Sequence, residues 1–316
     1  MIVADGFSLA AVAAGGKAGL ASALARLERA PDEAPTLALL DAAFAAPRAQ
    51  VVGVTGPPGV GKSTLFGALI AEWRRAGKTV GVIAVDPSSR ASGGALLGDR
   101  TRLRTDPDDA GVFVRSMAAR DKLGGLAALT VSAMVLMRAL FDVVLIETVG
   151  VGQSETDVAG AADTVVLCVQ PGSGDSLQFM KAGIVEIPHV VVVTKSDLGE
   201  AAERARSDAL AVLGLAERGA DDWHVPVLAL SALRRDGIDG LMAAIADHWR
   251  WLSERDRLGR ARAGQAAQWL VDGVRESFGR DGLKRAGKLA AEPGESPFRA
   301  AARIAAALRR DASKCE

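Results

Sequence analysis

Cysteine and histidine are scarce: the 316-residue chain has two of the first and three of the second. Two thiols, Cys168 and Cys315, cannot make a disulfide framework, and this usage predicts a reducing, cytoplasmic setting. Cys168 falls in the apolar run 165–169 and reads as a buried structural thiol, whereas Cys315 reads as exposed. His189 and His248 have no Cys or acidic partners at metal-ligand spacing, which speaks against a zinc or nickel centre. Net charge is lacking too. Lys+Arg and Asp+Glu number 38 each, so no global field holds the chain on nucleic acid or an anionic membrane. Long apolar runs are missing: the longest, 127–146, is broken by Arg138 and Asp142 and reads as a buried helix followed by a buried strand. With Asp5 early and no arginine before Arg26, neither a secretory nor a mitochondrial leader is expected.

What remains is ample core material and a clear change of pattern along the chain. Residues 1–48 are rich in Ala and Leu, with Leu20, Leu24 and Leu27 at helical spacing, and predict a small helical extension. Seven short apolar runs then alternate with helical stretches, at 51–55, 79–85, 111–115, 142–146, 164–169, 189–194 and 225–230. Continuous apolar strands separated by helices predict an α/β fold: a doubly wound, mostly parallel sheet over residues 49–248. From 249 to 316 the period is helical again. Ala266, Leu270, Val274 and Phe278 recur at four-residue steps, and Ser296 is placed to cap a last helix beginning at Pro297. These helices are too few for a core of their own, and they are expected to pack on the sheet domain or on a second copy.

The chemistry is written at the strand ends. Gly56-Pro57-Pro58-Gly59-Val60-Gly61-Lys62-Ser63-Thr64 matches the phosphate-loop pattern, between an apolar strand and a helical run. Glycines let successive N–H groups converge on phosphate oxygens, and the helix adds its positive end. Lys62 is expected on the β/γ-phosphates and the Ser63 hydroxyl on Mg²⁺. A hard cation also wants carboxylates. Asp86 at the end of the second run, Asp99 beyond it, and Glu147 opening an acid-x-x-Gly150 loop are the candidates, with capping of their own loops as the alternative. Glu147 can face the metal or the attacking water, and the Gly150 N–H a γ-phosphate.

Base recognition follows in Thr194-Lys195-Ser196-Asp197. A carboxylate at Asp197 can accept from guanine N1–H and its N2 amino group together, while adenine offers neither. The Lys195 stem can lie over the base, and Ser231-Ala232-Leu233 stands where a backbone N–H can meet guanine O6. These residues describe a P-loop hydrolase for GTP with Mg²⁺.

The chain resembles the G-protein chaperones of adenosylcobalamin-dependent acyl-CoA mutases, of which the methylmalonyl-CoA mutase-associated GTPase (MeaB/ArgK type) is best known. The resemblance rests on Val85-Asp-Pro-Ser-Ser89, Arg115-Ser-Met-Ala118, Glu147-Thr-Val-Gly-Val-Gly-Gln-Ser-Glu155 and Pro171-Gly-Ser-Gly-Asp175 with Lys181. It implies that Ser63, Asp86 and Asp99 surround Mg²⁺, that Glu147 is the base or orients water, and that residues 172–181 form a nucleotide-sensing switch with Lys181 reaching the catalytic site. It further implies a homodimer through C-terminal helices and a mutase partner whose own domain carries the cobalamin. The stretch Asp222-Trp223-His224 lacks the glycine of a base-off cobalamin motif, so this chain is not expected to bind cobalamin alone. Thr194 replaces the usual Asn of the guanine motif. A small-molecule or protein kinase is the alternative, because phosphate loops serve both classes; a metal-insertion GTPase is a weaker one, since such relatives carry His- or Cys-rich loops.

Overall fold

The computed structural model describes residues 7–87, 106, 108–119, 128–147, 158–172, 187–215, 219 and 221–312, without the side chains of 86, 87, 118, 119 and 312. Asp99, Gly150 and Lys181 lie outside the described residues.

Each of the seven apolar runs forms a strand: β1 (Gln50–Thr55), β2 (Val80–Pro87), β3 (Val112–Ala119), β4 (Val143–Glu147), β5 (Thr164–Val169), β6 (Val190–Val193) and β7 (Val227–Ala229). The helices in chain order are α1 (Leu9–Ala14), α2 (Gly16–Arg29), α3 (Ala34–Ala45), α4 (Lys62–Arg75), α5 (Ala128–Leu140), α6 (Glu200–Leu213), α7 (Ile238–Ser253), α8 (Arg257–Ala286) and α9 (Pro297–Ala312). All strand pairings are parallel, in the order β3-β2-β4-β1-β5-β6-β7. β7 is shorter than its apolar run because Pro226 has no N–H to give the ladder; its carbonyl still accepts from the N–H of Val191 at 2.9 Å.

Two compact units result, and the sheet belongs to one made of residues 50–126 and 142–258. Successive residues alternate between its two apolar faces. Val52, Val54, Val82, Leu145 and Val192 pack with Phe66, Leu69 and Trp73 of α4 and with Leu241 and Ile245 of α7. Leu167, Val169, Val191 and Val193 face Ala202, Ala209 and Leu213 of α6. Burial on both faces is why these strands read as unbroken apolar runs. From β1 the chain winds to β2 on one side, with β4 between them, and after β4 it crosses to β5 on the other. That reversal opens a crevice beyond the C-terminal end of β1, where folds of this kind hold ligands.

At the opposite ends of β5 and β6 lies a cluster the sequence did not announce. His248 is fully buried, its Nδ1 is 2.9 Å from Thr164 Oγ1, and its ring stacks on His189 at 4.2 Å with Trp223 and Trp251 beside it. His189 Nδ1 accepts from the Val165 N–H at 2.9 Å.

The other unit comprises residues 1–49, 127–141 and 259–316. Leu20, Leu24 and Leu27 are buried as their spacing predicted. Both Arg48 and Ala49 donate N–H to the Arg138 carbonyl of α5, at 2.9 and 2.8 Å. Asp41 of α3 accepts from the Ser296 N–H at 3.0 Å and pairs with Arg299. Ser296 caps α9 as expected, accepting from the Arg299 N–H at 3.3 Å. Past the Phe278 step Gly279 takes a non-helical φ of 65°, after which the helix resumes to Ala286. Leu283 and Ala286 join the cluster of Leu270, Val274, Ala300 and Leu308, which rewards the resumption. These apolar residues are therefore covered within the chain. Among the described residues the exposed large hydrophobics are Leu198, Leu210, Leu215 and Leu233, none of them in α8 or α9. No described helix is long and apolar enough to cross a membrane.

Candidate nucleotide site

β1 feeds directly into the phosphate loop, and two glycines shape it. Gly56 has φ 139°, and a Cβ there would stand 2.3 Å from the Cys168 carbonyl oxygen of β5, so no side chain fits. Gly61, with φ 101°, is the N-cap of α4 and carries no side chain to occupy the helix's first N–H groups. Lys62, mostly buried, donates its ammonium to the carbonyls of Gly56 at 2.7 Å and Pro57 at 3.2 Å. The Thr194 hydroxyl donates to the Val60 carbonyl at 2.8 Å, and Lys195 Nζ to the Gly59 carbonyl at 3.0 Å. Side-chain donors thus hold four carbonyls of this loop. With the peptide planes fixed, the backbone N–H groups of the loop and of the first turn of α4 form a ready concavity for anionic oxygens. Thr64 is exposed on α4, and the Val60 side chain is part of the core, which leaves Val60 only its backbone to offer.

Beneath the loop Cys168 is fully buried, and burial pushes its thiol up to about 12, which makes it inert packing. Beside the loop the Ser63 hydroxyl donates to Glu147 Oε1 at 3.0 Å. Asp86 lies two residues beyond Ala84, the register partner of Glu147 on the adjacent strand. Two hard oxygen donors in contact, with a second acidic residue at the neighbouring strand end, suit a Mg²⁺ ion. The geometry thus brings together two of the residues expected at a metal, Ser63 and Glu147.

The base loop follows β6. Lys195 is left-handed at φ 56°, ψ 43°, a conformation costing an ordinary residue about 1–2 kcal/mol. Its ammonium is tethered to Gly59 and also to Gln170 Oε1 at 2.7 Å. Ser196 donates its N–H to the Leu230 carbonyl at 3.1 Å, which ties this loop to the one after β7. There Ser231 and Asp236 exchange backbone hydrogen bonds of 3.0 and 3.1 Å around a turn that includes Ala232 and Leu233. A hydrogen bond from Ser231 holds the Asp197 carboxyl below its usual range, assisted by backbone bonding and by Arg234 and Lys195. Asp197 is therefore an ionised, acceptor-only group at neutral pH. The Leu233 side chain stands 84 % exposed.

Gln170 was missed from the sequence. Its signal was its place: a polar residue directly after a buried strand, at the carboxyl end of the sheet where ligands bind. No sequence pattern pointed to the Cys168 carbonyl under Gly56.

The family model described as methylmalonyl-CoA mutase-associated GTPase MeaB matches residues 20–284. GTPase ArgK of Escherichia coli is 39 % identical over 222 residues, covering 69 % of this chain and 67 % of its own length. The mitochondrial methylmalonic aciduria type A homolog of Mus musculus is 38 % identical over 232 residues, covering 72 % of this chain and 55 % of the mouse protein. A crystal structure described as a LAO/AO transport system kinase superposes with a TM-score of 0.70 at 31 % identity, covering 90 % of each chain. With a phosphate loop, a guanine-type base loop and this match over most of its length, the chain belongs to the MeaB family of methylmalonyl-CoA mutase-associated P-loop GTPases.

Proposed function

We propose that this GTPase acts on a cobalamin-dependent acyl-CoA mutase, with GTP hydrolysis gating adenosylcobalamin delivery to that enzyme and its protection or repair. One observation carries the reading: a base loop bonded directly to the phosphate loop, in a chain whose family is defined by association with such a mutase. Lys62 would place positive charge at the β/γ-phosphates, and Gly150, outside the described residues, would give its N–H to the γ-phosphate. Ser63, Asp86, Asp99 and Glu147 would hold Mg²⁺, which when bound neutralises developing charge on the phosphates. Glu147 would also orient water, and Lys181 would join the catalytic site from the loop 172–181. Cobalamin stays with the partner.

No arginine is placed at the γ-phosphate by any motif of the chain, so basal turnover is expected to be slow. A partner that orders the site or supplies positive charge can raise it by up to about 10³–10⁵-fold. By linkage that partner binds the GTP and GDP states unequally. The test measures GTPase rate against added mutase, and mutase affinity with a non-hydrolysable GTP analogue and with GDP. No change in either quantity with any acyl-CoA mutase of the same cell rejects the proposal.

A kinase reading has one support, the likeness to a solved protein described as a transport system kinase. It is decided by where labelled γ-phosphate appears: inorganic phosphate supports hydrolysis, a phosphorylated acceptor the kinase. The proposal includes a homodimer, which the resemblance implies. Since Leu270 and Val274 are covered within the chain, it would use other surfaces, and sedimentation of a monomer at micromolar concentration rejects it.

A further inference from the structure

We propose that this site reads guanine without its N7, because the residue that opens the base loop serves the phosphate loop instead of the base. The inference rests on the guanine assignment of Asp197 made above.

A threonine hydroxyl has one proton. In Thr194 that proton is directed at two carbonyl oxygens, Val60 at 2.8 Å and Val169 at 3.1 Å, and the side chain is 97 % buried against them (3 % exposed). Both partners are acceptors only, so neither can take over donation. What Thr194 has left are lone pairs.

A guanine whose N1–H and N2 amino group meet Asp197 turns its five-membered ring away from that carboxylate. This ring bears the ribose at N9 and leads on to the phosphates, so its N7 lies on the side of the phosphate loop, to which Thr194 is bonded. N7 is an acceptor. Opposite it, a hydroxyl oxygen with its proton committed elsewhere offers no hydrogen bond. An asparagine amide in the same place has two N–H donors and could serve a loop carbonyl and N7 together. With Thr194 the second of these is given up, while the tie between base loop and phosphate loop is kept. Recognition then falls entirely on the N1/N2 edge at Asp197 and on O6.

The test uses GTP and 7-deaza-GTP, which differ only in replacing N7 by C–H, in competition against a ribose-labelled fluorescent GDP on the full chain. A hydrogen bond to N7 would make GTP bind about fivefold tighter than its 7-deaza analogue. The expected result is a ratio of Kd values below about twofold; a ratio at or above that overturns the inference. Thr194→Val keeps the shape and removes the hydroxyl. It should weaken both nucleotides by the same factor, as loss of a loop contact does, and a loss confined to GTP overturns the inference. ATP, whose adenine offers neither the N1–H nor the N2 amino donor, separates this from failure of the guanine assignment. Equal affinity for it and GTP would remove Asp197 as the reader, whatever the N7 result.

Discussion

At the scale of single residues the site rests on acceptors and donors whose partners can be named. Asp197, a carboxylate that the bond from Ser231 holds below its usual range, is ionised at neutral pH and can only accept, and adenine offers it no donor. Asp197→Asn is expected to weaken GTP by at least about 10²-fold, and to admit xanthosine triphosphate, whose C2 oxygen suits an amide donor. Competition binding with both nucleotides checks this, and unchanged GTP affinity would dismiss Asp197 from the base site. The identities Lys62, Ser63, Thr194 and Asp197 were legible because motifs fix them by spacing. Their mutual bonds were not. That Thr194 reaches back to Val60, 134 positions earlier, depends on the C-terminal ends of β1, β5 and β6 lying side by side, and local sequence carries no trace of that adjacency.

Secondary-structure elements were the most legible level, since burial on both faces writes each strand as an apolar run. Boundaries yielded to single residues: Pro226 shortens β7, and Gly279 interrupts α8 without ending it. The His189–His248 cluster gave no signal, because isolated histidines in polar and aromatic surroundings have no period to detect. One contact between elements is open to direct test. Gly56→Ala puts a Cβ 2.3 Å from the β5 backbone at φ 139°, so β1 and β5 must part or the loop must shift. About 1–3 kcal/mol of stability should be lost, read as a lower urea midpoint, together with weaker GTP binding. A variant as stable as the native chain would show that the loop accommodates the methyl group.

For the molecule as a whole, acid should be more damaging than the balanced charge suggests. Burial, with His189 adding repulsion, pushes His248 down to about 2. In the unfolded chain the same ring takes a proton near pH 6.5. Between those values the unfolded state binds more protons, so this contribution is complete above pH 6.5 and diminishes as pH falls, by up to about 1.4 kcal/mol per unit. Urea midpoints at pH 7.5, 6.5 and 5.5 measure it, and His248→Gln, which cannot titrate, should flatten the curve. Equal acid sensitivity in both proteins would assign the effect to other groups. The helical unit has a different consequence, for synthesis. It is assembled from three separate stretches of chain, and Asp41 waits for Ser296 and Arg299, 255 and 258 positions later. Translation at about 5–20 residues per second puts at least ten seconds or so between them. During that interval the nascent α3 lacks its partners in α9 while the sheet unit is already emerging. Ribosome-bound intermediates should therefore hold the whole sheet unit's sequence while the helical unit still lacks α9, and protease cleavage at that stage is expected to fall in the helical unit first.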